Sequence, residues 1–466
     1  MRLTRLVLVF VLLGLAAPIS AFAADRMWVG FQDDPTFRWR ADRSAMLDDA
    51  ADANAGIVRT TVYWSRIAPR RPANPSNPFD SAYRFDDLDE FVRAAQFRGM
   101  ETLLTIWGTP SWANGSKGQN YAPTRMSDLT AFARALASRY SGRTPGYPYV
   151  RFFSVWNEPN LEQFLAPTFN GKGKPVSPFT YANMYRAARS GLKAGNPAAQ
   201  VGAGETSPRG RDRPSPGPIQ DSLAPATFAR LLSTSKPRIQ FEGYAQHPYS
   251  VLGQGPTQKA RYPNVHLTQL PRFSKDLQKW FGKKVSLWIT EYGFETRPAE
   301  PRGVAMSQQA VYVRQTLSRL RRMPTVEMLI WFIFRDDPTS TWQSGLISQS
   351  GARKPAFATF ASAAKPLDAR NPVVRAKINK VPVVRLSVQE LAARNGAGAL
   401  IGANIQVYGP GNKFQTGMQM QSSIGADGWA TFTFAPNGTK RVYYLFFAIQ
   451  DKNGNVIQRQ ATLIIE

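Results

Sequence analysis

Cysteine is absent from all 466 residues, and histidine occurs only twice. The first absence excludes disulfides, thiolate zinc sites, iron–sulfur clusters and cysteine nucleophiles. The second leaves too few ligands for a multi-histidine metal centre, so neither a metal nor a cofactor is expected. Acidic residues are scarce: 32 Asp+Glu stand against 58 Lys+Arg, a formal net charge of +26. Such a balance fits nucleic acid, an anionic surface, an acidic substrate or plain composition. No basic run exceeds two residues, which argues against a nucleic-acid-binding stripe. With 43% hydrophobic residues, a disordered chain is excluded.

The longest apolar run, Leu6–Ala17, falls short of the roughly 20 residues a spanning helix needs. Arg2 and Arg5 precede it, and Ala21-x-Ala23 follows. This is the pattern of a cleavable signal peptide over residues 1–23, so a secreted, soluble protein is expected; a monomer is expected as well.

From Met27 to about residue 365, short apolar runs alternate with amphipathic stretches. Strands are predicted at Met27–Phe31, Ile57–Tyr63, Met100–Ile106, Val150–Trp156, Gln200–Gly204, Phe241–Gln246, Val285–Thr290 and Glu327–Phe334. A helical pattern follows each, with Ser127 and Ser307 as start caps and Gly99 as a stop. Eight strand–helix units predict a (β/α)₈ TIM barrel over residues 24–366. The remaining stretch, 367–466, shows strand-like alternation with Asp427-Gly428 and Asn453-Gly454 as hairpin turns. It predicts a small all-β, immunoglobulin-like antiparallel sandwich, either a sugar-binding accessory or a spacer.

Barrel enzymes place their chemistry at the C-terminal ends of the strands. Strand four ends in Trp156-Asn157-Glu158-Pro159 and strand seven in Trp288-Ile289-Thr290-Glu291-Tyr292-Gly293. A carboxylate at an apolar strand end is costly unless it is paired or functional. Two carboxylates flanking one cleft are what glycosidic cleavage requires. Glu205, ending strand five, is a third and a rival, taken as substrate-binding or structural.

These two motifs resemble the strand-four and strand-seven signatures of the clan A glycoside hydrolases. Arg59 on strand two, His247-Pro248-Tyr249 after strand six and Trp331 on strand eight fall in the same order. Leu104–Trp112 resembles glycoside hydrolase family 39, whereas the His-x-Tyr pair is closer to cellulase-like family 5. The resemblance implies a retaining hydrolase of a β-linked poly- or oligosaccharide. It makes Glu158 the acid/base and Glu291 the nucleophile, with carboxyls about 5–5.5 Å apart. Arg59, His247 and Tyr249 would support the nucleophile, and Asn157 would donate to the sugar 2-hydroxyl. Trp331 would floor the subsite beside the scissile bond and Trp107 line it. Trp64, Trp112 and Tyr121 are either further stacking platforms or core. The alternative is a non-catalytic barrel that binds envelope or matrix polysaccharide.

The charge then poses a narrower question. Arg66, Arg70, Arg71, Lys172, Lys174, Arg209, Arg211 and Arg213 fall on loops expected to rim the cleft. A basic rim would suit an acidic glycan.

Overall fold

A computed structural model describes residues 27–143, 147–217, 219–364, 371–410 and 413–466. The leader, 1–23, and the predicted boundary at 366/367 lie outside these residues. Eight parallel strands close into a barrel: β1 (Trp28–Gln32), β2 (Ile57–Tyr63), β3 (Glu101–Trp107), β4 (Phe152–Val155), β5 (Gln200–Thr206), β6 (Gly243–Gln246), β7 (Ser286–Tyr292) and β8 (Val326–Phe332). β8 pairs with β1 in register Phe31↔Trp331. The strands read as near-continuous apolar runs because helices cover the outside while side chains fill the inside.

The covering helices are α1 (Arg43–Asp52), α2 (Asp86–Phe97), α3 (Met126–Arg139), α4 (Ser177–Gly195), α5 (Pro225–Ser233), α6 (Leu270–Phe281), α7 (Met306–Arg321) and α8 (Pro355–Ala364). Gly99 follows α2 with φ +74°, as a helix stop requires. The two predicted serine caps are corrected: Ser127 and Ser307 sit inside the first turns of α3 and α7. The cap positions are Arg125 and Ala305, neither with a side-chain cap bond. Among the described residues, no helix is long and apolar enough to cross a membrane.

The barrel floor is packed by Trp28, Ile57, Leu103, Phe152, Ala245, Trp288, Met328 and Ile330. Trp288 from β7 lies across β5 and β6. A Cβ on Gly202 would fall 2.6 Å from its ring, and one on Gly243 only 2.2 Å. Glycine at these two positions makes room for the indole, whose Nε1 donates to Glu327 Oε2 at 2.8 Å.

The C-terminal part forms two sheets around a separate core. β10 (Val383–Ser387) pairs with β13 (Trp429–Thr433). The larger sheet runs β12 (Phe414–Ser423), β11 (Leu400–Tyr408), β14 (Arg441–Asp451), β15 (Val456–Ile465), β9 (Val373–Ala376). Two expectations change. Asn453-Gly454 joins a true hairpin, β14 to β15, but Asp427-Gly428 leads from β12 to β13, which pair in different sheets. The sheet is also mixed, because β9 runs parallel to β15.

This unit docks on the N-terminal end of the barrel. Thr462 Oγ1 donates to Gln96 O at 2.9 Å, Tyr408 OH to Gly142 O at 3.1 Å and Gln460 Nε2 to Tyr149 O at 3.3 Å. The opposite end is left open.

Candidate active site

At the C-terminal strand ends lies a cleft of about 930 Å³. Its aromatic walls are Trp39, Tyr63, Trp107, Phe332 and Trp342. Asn157, Glu158, Tyr249 and Glu291 stand in it, as the strand-end positions predicted.

Glu158 follows β4 in a turn where Trp156 (φ +72°) and Glu158 itself (φ +37°) adopt conformations rare outside glycine. Trp156 Nε1, donating to Phe164 O at 2.6 Å, and Glu158 N, donating to Glu205 O at 2.9 Å, hold that turn. The Glu158 side chain is 15% exposed and its Oε1 lies 3.0 Å from His247 Nδ1. Burial raises the Glu158 carboxyl, and the hydrogen bond and charge of His247 offset only part of this.

Glu291, 13% exposed, receives Arg59 Nη1 at 2.7 Å and Tyr249 OH at 3.2 Å. Its Oε2 lies 3.7 Å from the same His247 Nδ1. The two facing carboxylate oxygens are therefore no more than 6.7 Å apart, the sum of 3.0 and 3.7 Å. Arg59 is wholly buried; its Nη2 also donates to Asn157 Oδ1 at 3.3 Å, which leaves the Asn157 amide N–H groups for a ligand.

Glu205 lies beneath the cleft, fully buried. Its Oε2 accepts from Thr290 Oγ1 at 2.5 Å, His247 Nε2 at 3.0 Å and Arg59 Nη2 at 3.3 Å. Burial alone would raise its carboxyl, but Arg59 and His247 hold it down at about 2. His247 feels the reverse balance. Burial would lower it, but the charge of Glu291 and the bonds to Glu158 and Glu205 raise it to about 10.

Trp331, expected in the cleft, does not line it, and neither do the candidates Trp64, Trp112 and Tyr121. Trp331 is 1% exposed, packed among Tyr292, Phe294 and Phe360, with Nε1 on Ser344 O at 2.8 Å. Phe332, its neighbour, lines the cleft instead. Trp64 is buried and stacked on Phe132. Trp112 lies under the Arg71 guanidinium with Nε1 on Ala68 O, and Tyr121 stands away from the cleft. Of the eight basic residues expected at the rim, Arg209 lines the cleft and Arg66 packs over its walls, 4.6 Å from the Tyr63 ring centre and 5.4 Å from that of Trp39; the lining also holds six acidic side chains, Asp33, Asp34, Glu158, Glu291, Glu295 and Asp337.

The barrel with two strand-end glutamates on one histidine has the architecture of a clan A glycoside hydrolase. The profile of cellulase (glycosyl hydrolase family 5) matches residues 22–175, the segment holding Glu158. That of the glycosyl hydrolase catalytic core matches residues 253–360, which holds Glu291. Among solved structures, a family 39 glycoside hydrolase from Bacteroides cellulosilyticus WH2 is similar at 16% identity and TM-score 0.52, over 89% of this chain and 80% of that one. A family 5 subfamily 18 enzyme from Streptomyces cattleya, in complex with GlcNAc, is similar at 18% identity and TM-score 0.52, over 76% and 84%. No curated protein matches the sequence.

Proposed function

We propose that the protein is a secreted, retaining glycoside hydrolase in which Glu291 attacks the anomeric carbon and Glu158 serves as acid, then base. The observation that carries this is the convergence of Glu158 and Glu291 on one His247 nitrogen in an aromatic-walled cleft. A span of at most 6.7 Å suits direct attack better than the wider gap that must admit a water for inversion.

The environments divide the roles. Glu291 accepts from two donors, Arg59 and Tyr249, which hold its carboxylate in place, as a nucleophile needs. Glu158 is buried with its carboxyl raised, as a general acid needs. As the glycosidic bond breaks, the Glu158 proton passes to the leaving oxygen while Glu291 bonds to carbon one. Glu158, now ionised, takes a proton from water, which displaces Glu291 and restores the enzyme. Asn157, oriented by Arg59, donates to the sugar 2-hydroxyl, a bond that strengthens in the transition state.

Beyond the charge-balanced group of Arg59, His247, Glu158, Glu205 and Glu291, the lining sets four acidic side chains, Asp33, Asp34, Glu295 and Asp337, against Arg209, so a β-linked glycan of neutral or amino-bearing sugars fits better than an acidic one. A polysaccharide panel with product sizing tests the assignment. Reducing ends should appear on a neutral or amino-bearing glycan and vanish in Glu291→Gln. Glu158→Ala should keep activity on aryl glycosides whose leaving group needs no acid. Binding without any released reducing end would leave only a polysaccharide-binding barrel.

A further inference from the structure

Glu205 does not reach the cleft, yet four of its neighbours do the work there or hold it in place. Its carboxylate takes Arg59, which grips Glu291; His247, which touches Glu158; and Thr290, the residue before Glu291. Its carbonyl accepts the backbone N–H of Glu158. The chain departs from regular strand geometry to allow this. Glu205 adopts φ +51° after Gly204 at φ +100°, and the β5–β6 register breaks between Ala203 and Thr206. A strained non-glycine residue at a bulge beside a reactive centre persists only where its surroundings over-determine it. Here the strain turns a carboxylate into the barrel rather than out of it.

We propose that Glu205 is a positioning residue that fixes the proton state of His247 and, through it, the hydrogen bond that orients the acid Glu158. The inference rests on the assignment of Glu158 as acid/base. His247 carries an N–H toward each of Glu205 and Glu158 only as the imidazolium, since a neutral ring has one N–H. The groups facing it are Glu158 from the β4 end, Glu205 from β5, Glu291 from β7, Arg59 from β2 and Tyr249 from its own loop; Tyr181 of α4 adds its hydroxyl to the Gly204 N–H beside Glu205. Glu205 is the one carboxylate among them with no access to solvent or substrate. It therefore stays ionised through the cycle while Glu158 gains and loses its proton. With Arg59 and His247 both charged, and Glu205 and Glu291 both ionised, the site is neutral when Glu158 holds its proton. That is the state in which an acid catalyst starts.

The chain has two histidines, so histidine-labelled NMR follows His247 directly. The other, His266, is lowered to about 4 by burial and by Arg209, which keeps the two signals apart. In the wild-type protein His247 should remain imidazolium through pH 8. In Glu205→Gln it should titrate at least about one unit lower, and kcat should fall about 100-fold with KM little changed. Glu205→Asp keeps the charge at a shorter reach, so it should keep the high His247 titration while losing turnover. A neutral His247 in the wild-type protein at pH 7.5 would overturn the proposal, a result that needs no variant to fold. So would a Glu205→Gln protein whose His247 titration is unmoved, the outcome of a purely structural role. If no glycan is hydrolysed by the wild type, the glycosidase assignment fails, while the titrations still decide whether Glu205 governs His247.

Discussion

Trp331 and Phe332 are adjacent in sequence and on opposite faces of one strand. Side chains on a strand alternate, so a one-residue error in parity exchanges the interior for the outside. Met328 and Ile330 fill the barrel floor; Phe332 shares their face and reaches the cleft, while Trp331 shares that of Leu329 and meets the helices. The same rule separates Tyr63, which lines the cleft with Thr61 and in step with Arg59, from Trp64 beyond it. The signal was in the sequence: Arg59 sets the inward parity of β2, and residues 61 and 63 follow it. Chemical type pointed to the tryptophans instead. Phe332→Ala should raise KM or lower kcat about 10-fold on an oligosaccharide, with little loss of fold, if the stacking ring is worth about 1.4 kcal/mol. Trp331→Ala should cost roughly 3–5 kcal/mol of stability by chemical denaturation, the range for a buried aromatic. The opposite pattern would restore Trp331 to the subsite. Glu158, Asn157 and Glu291 were legible because each sits where a strand meets its loop, and carboxylates there are rare for a physical reason; Arg59, inside β2, and Tyr249, beyond β6, were legible through the resemblance. Glu205 was legible as a carboxylate but not as an anchor, because its role depends on a bulge that no residue pattern announces.

The elements of the barrel were legible almost to the residue, since parallel strands buried on both faces stand out as apolar runs between amphipathic helices. The C-terminal strands were less so. β12, Phe-Gln-Thr-Gly-Met-Gln-Met-Gln-Ser-Ser, is an edge strand with most residues exposed, and it lacks the apolar alternation of a half-buried one. β9 has four residues, too few for a period to show. The serine caps failed because a serine in the first turn resembles a serine before it, and only backbone geometry tells them apart. Where β6 crosses the barrel floor, glycine is fixed by packing: Gly243→Ala drives a methyl into the Trp288 ring and should cost about 1–3 kcal/mol. A thermal melt of that variant unchanged from wild type would mean that Trp288 lies elsewhere.

The whole molecule divides its tasks between its ends. The barrel's open end lines its cleft with six acidic side chains and Arg209 in a chain whose net charge is +26, so most of the positive charge lies outside that lining. The β unit sits on the other end and contributes none of its described residues to the cleft lining. Its contacts, Tyr408 on Gly142 among them, are those of a base on which the barrel rests. Tyr408→Ala should lower stability by roughly 1–3 kcal/mol and leave KM unchanged; a changed KM at full stability would give the unit a share in substrate binding. All of this serves one claim, that Glu158 and Glu291 perform a double displacement. The most direct measurement is the anomeric configuration of the first product, followed by proton NMR on a glycan found to be cleaved. The account predicts that the product appears first with the configuration of the bond that was cut and mutarotates afterwards. A product that appears first in the inverted configuration would contradict it.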